Sequence, residues 1–222
     1  MANDTSRFEL GTAKVVDSKP LQTSDSKWIG LKNIEWIDET GKERLWEWRV
    51  FYFDCIFSYR KRSGVESENI PDAVAVFSVL SRPSLPDATV LVLQYRPPVG
   101  KIVVELPAGL VDSNETSEQT ALRELYEETG YGKGPDGGKA VVEKVTRILA
   151  NDPGMSSANM SLVKIKITLD SDKAPEPQPE REHILVQVVP LVDLHETLLE
   201  YSEKDGYMVD ARLMHLSIGI SG

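Results

Sequence analysis

The segment from Thr116 to Thr129 constrains this chain more than any other. Thr116-Ser-Glu-Gln119 has the form of a capping box, in which the threonine and glutamine side chains each satisfy a backbone N–H at a helix start. Ala121, Leu122 and Leu125 supply an apolar face, and Gly130 stands where a left-handed residue ends a helix. The segment therefore predicts a helix. On it Glu124, Glu127 and Glu128 lie at i, i+3 and i+4, on one face. Like charges at that spacing repel by roughly 0.2–0.5 kcal/mol per pair, so three carboxylates facing one way invite a cation. Hard oxygen donors, with water completing the shell, suit Mg²⁺ or Mn²⁺. Arg123 is expected to point elsewhere on the helix, pairing with Glu115 or Glu127 and holding the preceding loop against it. Taken alone, the three glutamates also describe an ordinary solvated face.

Around this helix the chain reads as mixed strand and helix. Trp28 to Trp48 has apolar residues at short, near-alternate spacing, broken by the turn-like Asp38-Glu-Thr-Gly-Lys42. Strands are predicted over Ala73–Leu80, Thr89–Tyr95, Lys101–Leu106, Val141–Leu149, Leu162–Leu169 and Ile184–Val189. Pro97-Pro98 and Pro107 are expected to close two of them, because proline cannot donate to a ladder. Val163, Ile165, Ile167 and Leu169 alternate with Leu162, Lys164, Lys166 and Thr168, which predicts an antiparallel strand with one buried face. Residues 8–10 and 13–16 look extended, 170–182 form a loop rich in proline and acid, and helices are expected over 191–203 and 209–218. The irregular alternation of elements implies an α/β or α+β sandwich rather than a doubly wound sheet.

The length of 222 residues suits one domain with appendages or two small domains. A net charge of −10 argues against nucleic acid or anionic membrane as a non-specific partner. It leaves room for phosphorylated small molecules, since a divalent ion turns carboxylates into anchors for phosphate. The single cysteine, Cys55, rules out an internal disulfide. No secretory signal and no membrane-spanning run is seen, so the expected location is cytoplasmic, with the nucleus as an alternative. His183, His195 and His215 lack ligand spacing and read as structural or exposed.

The spacing of the helix and its flanks is more specific than its glutamates. Gly109, five residues, Glu115, seven residues, Arg123-Glu-Leu125, one residue, Glu127-Glu128, one residue, Gly130: this resembles the Nudix box at every fixed position, with Tyr131 where an aliphatic residue is usual. Gln94-Tyr-Arg-Pro-Pro98, Glu105-Leu-Pro-Ala-Gly-Leu110, Asn151-Asp-Pro-Gly-Met-Ser156, Val209-Asp-Ala-Arg212 and Trp28 with Trp46-Glu47 are similar to segments of the ADP-ribose (ADP-sugar) pyrophosphatase branch. The resemblance implies a Nudix αβα sandwich with a mixed sheet over 67–222, and a small antiparallel β-domain over 1–66 serving dimerisation and adenine binding. It implies a homodimer that splits ADP-ribose or a related ADP-sugar into AMP and a sugar phosphate with Mg²⁺, Mn²⁺ being a substitute. The carbonyl of Ala108 with Glu124 and Glu128 would hold metal, and Glu127 would join a second ion. Glu127 and Arg123 would belong to the catalytic set with the base, which falls on Glu182, or on Glu180. Arg96 would meet the diphosphate, because its planar fork suits phosphate oxygens. Trp28 and Trp46 would stack on adenine, Glu47 would accept from its amino group, and Glu105 and Asp152 would lie near the terminal ribose and metal. Each of these also has a plain structural reading: a salt bridge for Arg96, core or interface packing for the tryptophans, a loop carboxylate for Glu182.

One stretch departs from the family pattern. Trp48 to Phe57, strongly apolar and aromatic, is inserted before the basic Ser58-Tyr-Arg-Lys-Arg62. It bears on the placement of Trp46 and Glu47 and on which of Arg60, Lys61 and Arg62 reaches substrate. Two other functions stay open on sequence: a Nudix hydrolase acting on another nucleoside diphosphate derivative or an oxidised nucleotide, and a binding module that does not hydrolyse.

Overall fold

Alternating burial builds the sheet. In the computed structural model, which describes residues 29–37, 41–51, 70–172 and 184–221, the chain begins with a hairpin of β1 (Ile29–Ile37) and β2 (Glu43–Phe51), paired antiparallel from Ile29–Phe51 to Ile37–Glu43. Then follow β3 (Ala73–Ser81), β4 (Ala88–Arg96), β5 (Lys101–Glu105), β6 (Ala108–Leu110), helix α1 (Ser117–Thr129), β7 (Lys139–Val145), β8 (Leu149–Ala150), β9 (Asn159–Thr168), β10 (Ile184–Pro190), helix α2 (Leu194–Glu203), β11 (Tyr207–Val209) and helix α3 (Ala211–Ser221).

Strands β3 to β11 form one mixed sheet in the order β11-β5-β4-β3-β9-β7, with β10 on β4, β6 on β3 and β8 on β9. Helix α1 packs on one face, burying Ala121 and Leu125 against Val74, Val76, Val163 and Ile165. Leu194, Leu198 and Leu213, from α2 and α3, meet Leu91, Val104 and Phe77 on the other. This is the sandwich of helix, mixed sheet and helix expected from sequence. No helix among the described residues is long and apolar enough to cross a membrane.

Four local expectations change. Strand β9 is antiparallel toward β7 and β8; toward β3 it runs parallel, from Ala73–Met160 to Ser81–Thr168. The strand expected over Val141–Leu149 splits into β7 and β8, with a register shift between Val142 and Lys144. Thr146 marks the break: its hydroxyl, rather than a carbonyl, accepts from the Leu162 N–H at 2.9 Å. Pro107 closes β5 as expected, yet β6 starts directly after it, and the Pro107 carbonyl accepts from Val76 N–H at 2.8 Å. Residue 209 does not open a helix, because Tyr207–Val209 pair in parallel with Ile102–Val104 and α3 begins after them.

Among the described residues, Arg49 links the hairpin to the sheet. Arg49 N–H donates to the Met155 carbonyl at 2.9 Å, Arg49 pairs with Ser156, and its guanidinium lies 3.8 Å from Asp152. The first half of the predicted insert, Trp48 to Phe51, completes β2 opposite Ile29–Lys32. Residues 8–10 and 13–16, Trp28, residues 52–62, Glu180, Glu182 and His183 lie outside the described residues.

Candidate active site

The capped helix forms as its sequence dictates. Thr116 accepts from Gln119 N–H at 3.3 Å, the Gln119 side chain accepts from Thr116 N–H at 2.9 Å, and Gly130 ends the helix at φ 77°. What the cap achieves is placement: α1 is set against β6, so its glutamates meet the backbone of Ala108–Leu110. Gly109 makes that approach possible. A Cβ added there would lie 2.0 Å from the Glu124 carboxyl carbon and from its Oε1, inside any van der Waals contact. One turn on, Glu128 accepts from the Ala108 N–H at 3.1 Å. Two carboxylates of one helix face therefore converge on one short strand.

Arg123 faces the same way, contrary to the sequence expectation that it points elsewhere on the helix. Its Nε and Nη2 grip Glu115, each at 2.9 Å to a different oxygen, as expected. Its Nη1 also reaches Glu124 at 2.6 Å and Glu127 at 3.3 Å, and Nη2 donates to the Leu110 carbonyl at 3.3 Å. A long side chain can turn back over its own helix, which faces counted from spacing do not capture. The Arg123 guanidinium holds the Glu115 carboxyl below the usual carboxylate value against the opposing pull of burial, with help from the Thr120 hydroxyl. Arg123 in turn is held in its charged form, chiefly by Glu115 and also by Glu124.

Among the described residues no three His, Cys, Asp or Glu side chains already converge on a single point. The residues nonetheless suit a hard divalent cation. Glu124, Glu127 and Glu128 offer only oxygen donors, and the glycine cradle brings Glu124 against β6, where the carbonyl of Ala108 is a further oxygen.

The remaining predicted residues divide. Arg96 and Glu105 are brought together: Arg96 Nε donates to Glu105 Oε1 at 2.6 Å, with Glu105 12% exposed and Arg96 46%. The salt bridge engages Nε, on a side chain that stays partly exposed. Asp152 sits in an exposed turn, its carbonyl accepting from Met155 and Ser156 N–H, and its carboxylate faces Arg49. Glu47 is exposed on the hairpin opposite Asn33, and the Trp46 backbone stands opposite Ile34. Trp28, Glu182 and Glu180 lie outside the described residues. His195 bonds to Ser217 across α2 and α3 at 3.0 Å, the structural role expected of it.

Sequence reasoning missed one pair. Asn159 Oδ1 accepts from Asp72 N–H at 3.0 Å while Asn159 Nδ2 donates to Asp72 Oδ2 at 2.7 Å, and the Asp72 carbonyl accepts from Val111 N–H at 3.1 Å. This anchors the end of β6 to the start of β9. The partners are 87 residues apart, so no local pattern announces them.

Known proteins resemble this chain in sequence and in fold. The NUDIX domain model matches residues 70–211. An uncharacterised Nudix hydrolase of Schizosaccharomyces pombe is 35% identical, over 93% of this chain and 92% of its own. The ADP-ribose pyrophosphatase of Saccharomyces cerevisiae is 34% identical over 94% and 84%. The ADP-sugar pyrophosphatase of Mus musculus is 34% identical over 64% and 56%. Among solved structures, an ADP compounds hydrolase shares the fold at a TM-score of 0.53, with 20% identity over 90% of this chain and 94% of that one.

Proposed function

The chain belongs to the Nudix hydrolase family, and from that premise we propose that it hydrolyses the diphosphate of ADP-ribose, and of related ADP-sugars, to AMP and ribose 5-phosphate or the corresponding sugar phosphate. The observation that carries this reading is the convergence on β6: Glu124 held against Gly109, and Glu128 bonded to Ala108 N–H. The choice of an ADP-sugar is supported by the pyrophosphatases of yeast and mouse, which are each 34% identical to this chain over the aligned residues.

In this reading Glu124, Glu128 and the Ala108 carbonyl would hold Mg²⁺, or Mn²⁺ in its place, and Glu127 would join a second ion. The metal supplies charge neutralisation of the diphosphate and Lewis-acid activation. The chain's own residues do the rest. Arg123 clamps Glu115 to α1 and fixes the loop that precedes the helix. Arg96 presents the outer edge of its guanidinium to the diphosphate, since Glu105 engages only its Nε. Glu105 and Asp152 border the terminal ribose. Glu182, with Glu180 as the alternative, takes the proton of the attacking water as general base. Trp28 and Trp46 stack on adenine and Glu47 accepts from its amino group.

The same reading assigns residues 1–66 to dimerisation and adenine binding and 67–222 to catalysis. Leu31, Ile37 and Leu45 on the hairpin are 69%, 68% and 69% exposed. A two-stranded hairpin is marginal by itself in water, so this exposed apolar surface supports the homodimer, in which a second copy would cover it. The cytoplasm, or the nucleus, is the proposed location.

Incubation with ADP-ribose and Mg²⁺ in ¹⁸O-labelled water tests the proposal. AMP and ribose 5-phosphate are expected, one carrying the label and so identifying the attacked phosphorus. Turnover should stop on chelation and return with Mg²⁺ or Mn²⁺. Hydrolysis of nucleoside triphosphates alone, or activity unchanged in Glu124→Gln, would overturn it.

A further inference from the structure

We propose that Asp72 and Asn159 are positioning residues for the metal site, acting through the peptide unit that joins Leu110 to Val111, an inference that rests on the metal reading of Glu124, Glu128 and the Ala108 carbonyl given above. Strand β6 has only three residues and takes its register from β3, with Ala108 opposite Ala75, Gly109 opposite Val74 and Leu110 opposite Ala73. A backbone bond closes this short ladder at each end. At its start the Pro107 carbonyl accepts from Val76 N–H at 2.8 Å; at its end Val111 N–H donates to the Asp72 carbonyl at 3.1 Å. Val76 is fully buried inside β3, but Asp72 stands one residue before that strand begins. The parallel register, which starts at Ala73–Met160, sets Asp72 level with Asn159. There side-chain bonds join the two strands. Asn159 Oδ1 accepts from Asp72 N–H at 3.0 Å, and Asn159 Nδ2 donates to Asp72 Oδ2 at 2.7 Å, a charge-assisted bond.

The Leu110–Val111 peptide is gripped on both sides. Its N–H meets Asp72, and its C=O accepts from Arg123 Nη2 at 3.3 Å. The same guanidinium reaches Glu124 at 2.6 Å and Glu127 at 3.3 Å. A row of hydrogen bonds thus runs from Asn159 on β9, through Asp72 and the end of β6, to the glutamates of α1. The tolerance along this row is small. Glu124 fills the space a Cβ on Gly109 would need, and Glu128 accepts from Ala108 N–H at 3.1 Å. The Ala108 carbonyl belongs to the peptide that leads into Gly109, so a slide of β6 along β3 displaces it from both carboxylates. Asp72 and Asn159 act on the ion through β6 alone.

The test exchanges the two side chains in the full chain. Asn159→Asp removes the Nδ2 donor and sets two carboxylates against each other. Adding Asp72→Asn restores a carboxylate–amide pair with the donor on the other strand. Mn²⁺ is titrated well below the melting temperature of each variant and followed by electron paramagnetic resonance. Its Kd should rise about tenfold in Asn159→Asp, the worth of one charge-assisted hydrogen bond, and return near wild type in the exchanged pair. Hydrogen exchange at Val111 N–H should quicken in the single variant and slow again in the double. Should Asn159→Asp not fold, Asn159→Ala, which removes both side-chain bonds, replaces it with the same expectation. A lowered Tm with Mn²⁺ affinity unchanged would make the pair structural only and overturn the proposal. A lost affinity that the exchange does not restore would do the same. A wild-type protein that binds no Mn²⁺ defeats the metal reading and the proposal together, whereas normal Mn²⁺ binding in every variant defeats the proposal alone.

Discussion

Gly109 shows how little of a residue's purpose its type reveals. The box spacing marks the position, yet the reason for glycine is a contact with a side chain on another element. The carboxylate of Glu124 occupies the space a methyl group would fill, 2.0 Å from where the Cβ would stand. Gly109→Ala should push Glu124 off β6. A displacement near 1 Å at a reacting centre costs on the order of 100-fold, so kcat/KM should fall by about that factor and Mn²⁺ binding, followed by electron paramagnetic resonance, should weaken in parallel. Retained activity would show that Glu124 need not lie against the strand. Arg123 teaches the converse. Helical spacing names the neighbours it can reach, and Glu115 and Glu127 are among its partners, but Glu124 was not expected. Spacing orders Cβ atoms; it does not fix the bend of four further rotatable bonds. Trp46 and Glu47 belong with neither case: the register is given, while the adenine they are proposed to bind is a matter for the dimer.

At the level of elements, legibility follows length. Helix α1 carries its start, its face and its stop in consecutive residues, so cap and boundary match the sequence to within a residue. Strand β9 is also plain, because its burial alternates over the eight residues from Ser161 to Thr168. Strands β6 and β11 are three residues each, too short to show a period, and both are defined by partners far away. The start of α3 lies between these extremes. Asp210 is legible as a cap only once β11 ends at Val209. Burial alone would raise its pKa, but the Arg212 guanidinium and two backbone N–H groups outweigh that and hold it below the ordinary 3.8. A depressed carboxyl stabilises the fold above its unfolded value and loses that contribution as pH falls through the folded value. Asp210→Asn should therefore lower stability by about 1–2 kcal/mol at neutral pH, as loss of a charged cap does. The gap from wild type in urea unfolding should close as pH drops below 3.8. A gap independent of pH would mean that the side chain's shape matters and its charge does not.

For the whole molecule, sequence patterning indicates a layered sandwich, because helical and strand periods alternate irregularly along the chain. It does not indicate that β3 and β9 run parallel, since periodicity carries no direction. The hairpin is the most open part. Residues 48–51 lengthen β2 and bring Arg49 to Met155, so the inserted stretch is built into the ladder for part of its length. Deleting residues 48–57 should remove four cross-strand pairs and the Arg49 bridge. Sedimentation equilibrium should then show the proposed homodimer weakened by roughly tenfold or more in Kd, given that about 1.4 kcal/mol is tenfold. An unchanged dimer constant would place the contact surface elsewhere. The sheet that supports the site has a consequence in time as well. Beta-strand 6 is fastened through Asp72 to Asn159, 87 residues further along, and domains fold as units while synthesis advances from the N-terminus. The ribosome thus delivers the glutamate helix before it delivers the strand that anchors the helix's docking edge. A nascent chain carries every residue of the box while still lacking the frame that aligns them, so the site should assemble only after translation has passed the start of β9.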